Sequence, residues 1–416
     1  MGLPSRRILP LVFALNLALN VLFLLHSGII RLPTLPGSAS SQLAAHNVHR
    51  GANAQSPWTS ELAQQNLEPV SFSMVMYGES SAKEGLLALK TVLMHISRPA
   101  EFHIICSPDA IPVIQNKLEL FSRPAYSVSF KFYPISEDTI RGRAHRAGVA
   151  SKHAAGYGGL VKTFLHEVLY DVKRVIYFDT DMLFLVDPYL LWRDFERYWN
   201  QSRDFMVAFP TLGDRSTCDV VCTCIMLLDL EQMRKQFFMP STNFPAGTKT
   251  LGNNETWARA EIDPENPEFG DQGLYFAIWK RYGRKMFRDL SVSWDMTHCR
   301  FSYGLSLVDG NDSMGETEQI SKQIFTREGK VYDRWYQLYP ALLHFNCQPS
   351  NDIVWEDQLN TNRPRWGPFV TIARQYKWVW LNRGDGTSKV LTETVKDRPF
   401  WDEAAFKEGF PRSTTS

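Results

Sequence analysis

Two aspartates one residue apart, Asp179 and Asp181, follow the short apolar run Arg174-Val175-Ile176-Tyr177-Phe178. Bounded by charge on both sides, the run reads as a central parallel strand, buried on both faces. Ligands of open α/β sheets sit beyond the carboxyl ends of such strands. Two carboxylates there can converge on one hard cation, Mg2+ or Mn2+, which would neutralise a diphosphate. The plainer reading is that Asp179-Thr180-Asp181 caps the next element, since Asp is a good turn and cap residue. The triplet alone is compatible with both.

The rest of the chain predicts a scaffold for these residues. Residues 70–76 alternate in part and end at Tyr77-Gly78, a strand followed by a turn. Residues 83–95 place Leu86, Leu87, Leu89, Val92 and Leu93 at helical spacing. A short buried strand is expected over 101–106, a helix over 110–121 and a strand over 127–132. Strands alternating with helices predict an α/β fold with a mostly parallel central sheet. Residues 159–170 read as a helix with Leu160, Val161, Phe164, Leu165, Val168 and Leu169 on one face; Lys162 and His166 lie off that stripe. Ile225-Met226-Leu227-Leu228 is strand-like. Asp271 could simply cap a helix over 272–279. Trp378-Val379-Trp380 alternates as an edge strand would.

At 416 residues, 44% hydrophobic and 13% aromatic, the chain can bury a large core, which excludes disorder throughout. Lys+Arg 45 against Asp+Glu 44 leaves a net charge of +1, without the basic excess that nucleic-acid binding needs. A mean hydropathy of -0.25 argues against a polytopic membrane protein. One segment departs from this balance. Residues 8–25, extendable to 30, are apolar behind Arg6 and Arg7. About 20 apolar residues cross a bilayer, and a cleaved signal peptide has a shorter apolar region. The expected organisation is a cytosolic tail over 1–7, a transmembrane signal anchor over 8–30, a stem over 31–68, a folded domain over 69–400 and a tail over 401–416. The bulk of the chain would then face the secretory lumen. The sequons at Asn200, Asn254 and Asn311 would be glycosylation sites there. The spacing Cys218-x-x-x-Cys222-x-Cys224 is not that of a usual zinc pair, so disulfides or buried thiols are expected before a structural metal.

Several segments together resemble the family 8 glycosyltransferases, the glycogenin-like superfamily. They are Phe178-Asp179-Thr180-Asp181-Met182-Leu183-Phe184 with Val186-Asp187-Pro188; Tyr157-Gly158-Gly159-Leu160-Val161-Lys162; Gly270-Asp271-Gln272-Gly273; and Leu342-Leu343-His344-Phe345-Asn346. They occur in the family's order, across residues 70–350. The arrangement looks most like the LARGE xylosyltransferase domains and the glucoside and xyloside xylosyltransferases. The resemblance implies a single-domain nucleotide-diphospho-sugar transferase fold of the GT-A kind. It implies a UDP-sugar donor, a glycan or glycoprotein acceptor, retention of anomeric configuration and a type II Golgi membrane location. Asp179, Asp181 and His344 would hold Mn2+, which an imidazole beside two carboxylates suits better than Mg2+. Thr180 would accompany them at the donor. Lys162 would reach the donor sugar or its phosphate, Asp271 and Gln272 would hydrogen-bond sugar hydroxyls, and Tyr77 and Gly78 would lie near uracil. UDP-xylose is the expected donor, with UDP-glucose and UDP-galactose next.

Two departures stand beside the resemblance. Cys222-Thr223-Cys224 occupies the place of the family's Asn-Ser/Thr-Gly triplet, and no His-x-x-Gly-x-x-Lys pattern follows His344. They motivate an alternative, a catalytically inactive lumenal carbohydrate- or nucleotide-sugar-binding protein. A metal-dependent phosphotransferase is a third reading, but the chain lacks the G-x-x-x-x-G-K-[ST] loop of common nucleoside triphosphate enzymes.

Overall fold

The computed structural model describes residues 67–153, 155–212, 220–241, 249–267, 269–297, 340–345, 367–396, 398 and 400. The anchor segment 8–30, the tail 401–416, Asn311, and the cysteines at 218, 299 and 347 lie outside the described residues. Among the described residues, no helix is long and apolar enough to cross a membrane.

The first half of the main sheet is built as the alternation predicts. Strands β1 (Val70–Met76), β2 (Ala100–Cys106), β3 (Val128–Pro134) and β4 (Arg174–Phe178) are joined by parallel pairing. The parallel register puts Phe72, Phe102 and Phe130 side by side. Their rings stack at 5.0 Å between centroids across both strand pairs. Such a ladder of matched aromatic neighbours fixes the register, since a one-residue slip would turn it to the other face.

Three further strands are short: β5 (Met182–Phe184), and β7 (Thr211–Leu212) and β8 (Val220–Val221), the last two paired antiparallel. Strands β6 (Val207–Phe209), β9 (Ile225–Asp229) and β10 (Phe287–Asp289) extend the main sheet. Strand β9 runs antiparallel to both β4 and β6. Strands β11 (Met296–Thr297) and β12 (Leu342–His344) form a three-stranded sheet with β5. Strand β13 (Val390–Thr394) closes the far edge, so the main sheet has the order β10-β6-β9-β4-β1-β2-β3-β13. The fold is α/β with a mostly parallel central sheet, as the sequence predicts.

From β1 the order runs to β2 and β3 on one side and to β4 on the other. This reversal leaves a crevice at the carboxyl ends of β1 and β4, the usual ligand position in such sheets. Apolar cores cover both faces. One gathers Phe72, Phe102, Phe130 and Phe178 beneath the helix Gly78–His95. The other gathers Tyr133, Leu160, Phe164, Tyr177 and Tyr275.

Three local expectations are corrected. The helix after β1 starts at Gly78, not at 83. Gly78 enters it with φ +79° and donates its N–H to Ser107 Oγ at 2.8 Å, a turn that residues with a Cβ rarely adopt. The segment 159–170 is not one helix. It divides into Gly156–Leu160, a 3-10 turn Val161–Phe164 and Leu165–Val168. The tighter turn breaks the α-helical period and buries Lys162 and His166, the residues placed off the apolar stripe. Finally, Trp378–Leu381 is a 3-10 turn rather than an edge strand. Trp378 and Leu381, three apart, are buried while Val379 and Trp380 are exposed. The edge strand is β13 instead.

Candidate active site

The site is assembled at the crevice from five elements. Strand β4 ends at Phe178, and the next residue, Asp179, donates its N–H to Cys224 O at 2.8 Å. This ties the Asp-Thr-Asp turn to the Cys-Thr-Cys segment before β9. Asp179 accepts from Lys162 Nζ at 2.9 and 3.0 Å and from the Tyr177 hydroxyl. Lys162 also lies 3.4 Å from Asp271 Oδ2. Its ammonium therefore bridges two carboxylates from opposite sides of the crevice.

Asp271 is the first residue of the helix Asp271–Tyr282, and its N-cap is Gly270 at φ +61°. Asp271 does not cap the helix through its side chain. It accepts from Thr223 Oγ1 at 2.6 Å instead. Tyr275, one turn further on, donates to Lys162 O at 3.1 Å and holds the 3-10 turn in place.

His344 arrives on β12, where antiparallel pairing sets it opposite Met182 of β5. Phe345 N–H donates to Asp181 O at 3.0 Å. His344 Nε2 faces Asp181 Oδ2 at 3.5 Å, and Nδ1 lies 2.9 Å from Asp295 Oδ1. One ring nitrogen points at the Asp-Thr-Asp turn while a buried carboxylate orients the other. This is how a ligating histidine is held when a second carboxylate fixes its ring.

Charge in the crevice is unevenly balanced. Glu84, Asp179, Asp181, Asp271 and Asp295 surround Lys162 and His344. Burial pushes Asp179 up, with Lys162 working against it. Burial also opposes charge on Asp181, yet His344 draws it below the usual carboxylate range. His344 is pushed up to about 10 against its burial by Asp181 and then Asp295. Lys162 is raised by Asp179 and Asp271 against its burial. Glu84, partly desolvated and facing the Asp181 charge, rises to about 7 and accepts from Thr180 Oγ1 at 2.5 Å. An excess of carboxylates around one imidazole is a donor set that fits a hard divalent cation.

The structure thus brings Lys162, Asp179, Thr180, Asp181, Asp271 and His344 together. Gln272 diverges from them. It lines a cavity of about 320 Å³ with Ile262, Asp263, Phe269, Phe276 and Lys280. Tyr77 and Gly78 stand at the end of β1, on the rim of the crevice. The Tyr77 hydroxyl donates to Ile135 O at 2.8 Å and its ring packs under Gly158, where a Cβ would come within 3.0 Å. Sequence reasoning missed Glu84, Tyr177 and Asp295. The partners of Glu84 and Asp295 lie 96 and 49 positions away, so no local pattern marks those two; Tyr177 is two residues from Asp179 but reads as part of an apolar strand. Thr223 was visible only as a departure from a motif.

Fold and site together define an α/β protein with a buried carboxylate, lysine and imidazole centre at the switch point of its sheet. Its relatives in sequence are the LARGE xylosyl- and glucuronyltransferases. The chain is 28% identical over 141 residues, 34% of its length, to "Xylosyl- and glucuronyltransferase LARGE1" of Mus musculus. It is 28% identical over 149 residues to the Homo sapiens protein of that name, and 29% over 132 residues to LARGE2 of Rattus norvegicus. The matched stretch covers only 18%, 19% and 18% of those relatives' own length. No protein-family model matches the chain. Among solved structures, apo mouse xyloside xylosyltransferase 1 aligns at 14% identity and TM-score 0.46, over 68% of this chain and 98% of that one. The galactosyltransferase LgtC, in complex with donor and acceptor sugar analogues, aligns at 12% identity and TM-score 0.47, over 73% and 95%.

Proposed function

We propose that the chain is a retaining, Mn2+-dependent glycosyltransferase of the GT-A kind, moving xylose from UDP-xylose to a glycan or glycoprotein acceptor. The observation that carries this reading is the facing pair His344 Nε2 and Asp181 Oδ2, set beside the Lys162, Asp179 and Asp271 bridge at the carboxyl end of β4. The partial likeness to the LARGE proteins supports it. UDP-glucose and UDP-galactose are the next donors in order. The apolar run over 8–30 supports a type II anchor with the folded part in the Golgi lumen, where the exposed Asn200 and Asn254 would be open to glycosylation.

Asp179, Asp181 and His344 would hold the cation. When bound it supplies Lewis-acid stabilisation of the diphosphate leaving group. The chain's own residues do the rest. Asp295 keeps His344 turned with Nε2 toward Asp181. Lys162 places a permanent positive charge in a partly buried crevice, where negative charge would develop on the departing UDP. Tyr177 and Lys162 fix Asp179 in one orientation. Thr223 holds one oxygen of Asp271, leaving the other to accept from a sugar hydroxyl. Gln272, which lines a separate cavity with Phe269 and Phe276, takes no part in this arrangement. Asp271 is bonded to both Thr223 and Lys162, so it is a poor covalent nucleophile. Front-side displacement, with the acceptor hydroxyl bonded to the leaving phosphate, fits this arrangement better.

The inactive-protein reading rests on two departures, the missing lysine pattern after His344 and the Cys222-Thr223-Cys224 segment. The Thr223 to Asp271 bond weighs against it, because that segment supplies a polar contact to the centre. The test is UDP release by residues 69–416 across UDP-sugars with Mn2+, with chelator and Asp181→Ala controls. Mn2+-dependent release from UDP-xylose, lost in both controls, is expected. Failure to bind UDP in the presence of Mn2+ by calorimetry would remove the reading.

A further inference from the structure

Behind the imidazole lies a second cluster, which shares His344 and Asp295 with the transferase reading and adds two sulfurs that the reading does not use. Cys222 and Cys224 flank Thr223, Asp295 precedes β11, and His344 ends β12. One ligand atom from each lies within 4.8 Å of all the others. Cys222, Cys224, Asp295 and His344 are 2%, 2%, 0% and 3% exposed. The two sulfurs form a disulfide. Cys222 Sγ lies 3.8 Å from His344 Nδ1, and Asp295 Oδ1 lies 2.9 Å from the same nitrogen. Asp295 Oδ2 is buried and has no hydrogen-bond partner among the described residues. Buried carboxylate oxygens are normally paired, so an orphan beside two sulfurs and an imidazole points to a missing partner.

We propose that Cys222, Cys224, Asp295 and His344 Nδ1 form a redox-gated site for a thiophilic divalent cation of the zinc class. Two sulfurs, one imidazole nitrogen and one carboxylate oxygen make a four-ligand set of the kind zinc takes. In the disulfide state the sulfurs are bonded to each other and the site is closed. Two equivalents of an external thiol bring two electrons and two protons and leave as their own disulfide; alternatively one phosphine gives two electrons and leaves as its oxide, with one water supplying the oxide oxygen and both protons. In either case the S–S bond breaks and two thiols form. The entering cation displaces both thiol protons to solvent and takes the two thiolates.

The two sulfurs are independent of the transferase reading, although His344 and Asp295 are shared with it. One consequence rests on that reading. A neutral imidazole that binds a cation through Nδ1 keeps its proton on Nε2. His344 then cannot serve the cation facing Asp181, so filling one site empties the other.

Cobalt(II) is the probe, titrated into the full-length protein with and without phosphine reduction. Reduced protein is expected to give thiolate-to-cobalt charge-transfer absorption at one equivalent, and oxidised protein none. The double variant Cys222→Ser, Cys224→Ser should lose it, while Cys106→Ser should keep it. No such band in reduced wild type, a band in oxidised protein, or a band that survives in the double variant would overturn the site. A second measurement needs no variant. Zinc should protect Cys222 and Cys224 of reduced wild-type protein from iodoacetamide, read by peptide mass spectrometry; equal labelling with and without zinc also overturns it. Neither readout involves UDP release, so failure here leaves the transferase reading standing, and the reverse holds.

Discussion

Thr223 donates a 2.6 Å hydrogen bond to Asp271 Oδ2, the oxygen that also lies 3.4 Å from Lys162 Nζ. The hydroxyl and the ammonium hold one edge of the carboxylate from two sides. Thr223→Val keeps the shape and removes the donor. A hydrogen bond to a charged group is worth about 1.5–3 kcal/mol. UDP release should fall about 10–100-fold, and Thr223→Ser should recover most of it. Initial rates and a thermal melt on the three proteins check this. An unchanged rate in the valine variant would remove Thr223 from the site.

Lys162 is the buried cation between Asp179 and Asp271, with its side chain 11% exposed. Lys162→Met leaves two neighbouring carboxylates without it. Breaking a buried pair on one side costs about 3–5 kcal/mol, which a urea melt would show as a lower midpoint. The rate should fall about 10²–10³-fold, the loss typical of one oxyanion-stabilising group. Mn2+ at saturation should not restore it.

Among the described residues, the hydrogen-bond partner of Asp295 is the far nitrogen of His344, which makes Asp295 a positioning residue for the transferase reading. Asp295→Asn can still accept from Nδ1–H but carries no charge. Losing such an outer partner weakens metal affinity about 10–100-fold. Titration followed by the electron paramagnetic resonance of free Mn2+ reads this directly. The rate at saturating Mn2+ should change far less than the affinity, a split that general unfolding would not produce.

Away from the site, Glu101 of β2 faces His103 at 3.5 Å and Lys131 at 2.6 Å. The His103 contact, then Lys131, overcome burial and bring the Glu101 carboxyl down to about 2 from 4.5. A lowered folded-state value stabilises above the unfolded-state value and is lost as pH falls toward the folded one. Glu101→Gln should therefore cost about 1–2 kcal/mol near neutrality, after allowance for solvent screening. The gap between the two melting curves should close as pH falls from about 5 to about 2. A gap that persists at pH 2 would assign the effect to packing instead.

Much of this was legible in the chain because it is local. The strands Val70–Met76 and Arg174–Phe178 have their boundaries written in apolar runs between charges and turn residues. Their alternation with helices implies parallel pairing, and parallel pairing puts Asp179 at a carboxyl end. The residues brought together as expected were those whose segments carry recognisable spacing. Lys162 was found by motif, although its stripe position implied a solvated face; a 3-10 turn, which periodicity at 3.6 does not register, buried it.

The sequence by itself determined the α/β class, the place of the Asp-Thr-Asp turn and the residue types able to hold a cation. Side-chain period and turn chemistry act within a few residues, and those suffice for such features. Only the tertiary structure decided that β9 runs antiparallel beside β4, that Asp295 backs His344, that Thr223 holds Asp271, and that Gln272 faces another cavity. The first three of these join residues 47 to 55 positions apart. Their meeting depends on how whole sheets pack, which no local pattern encodes.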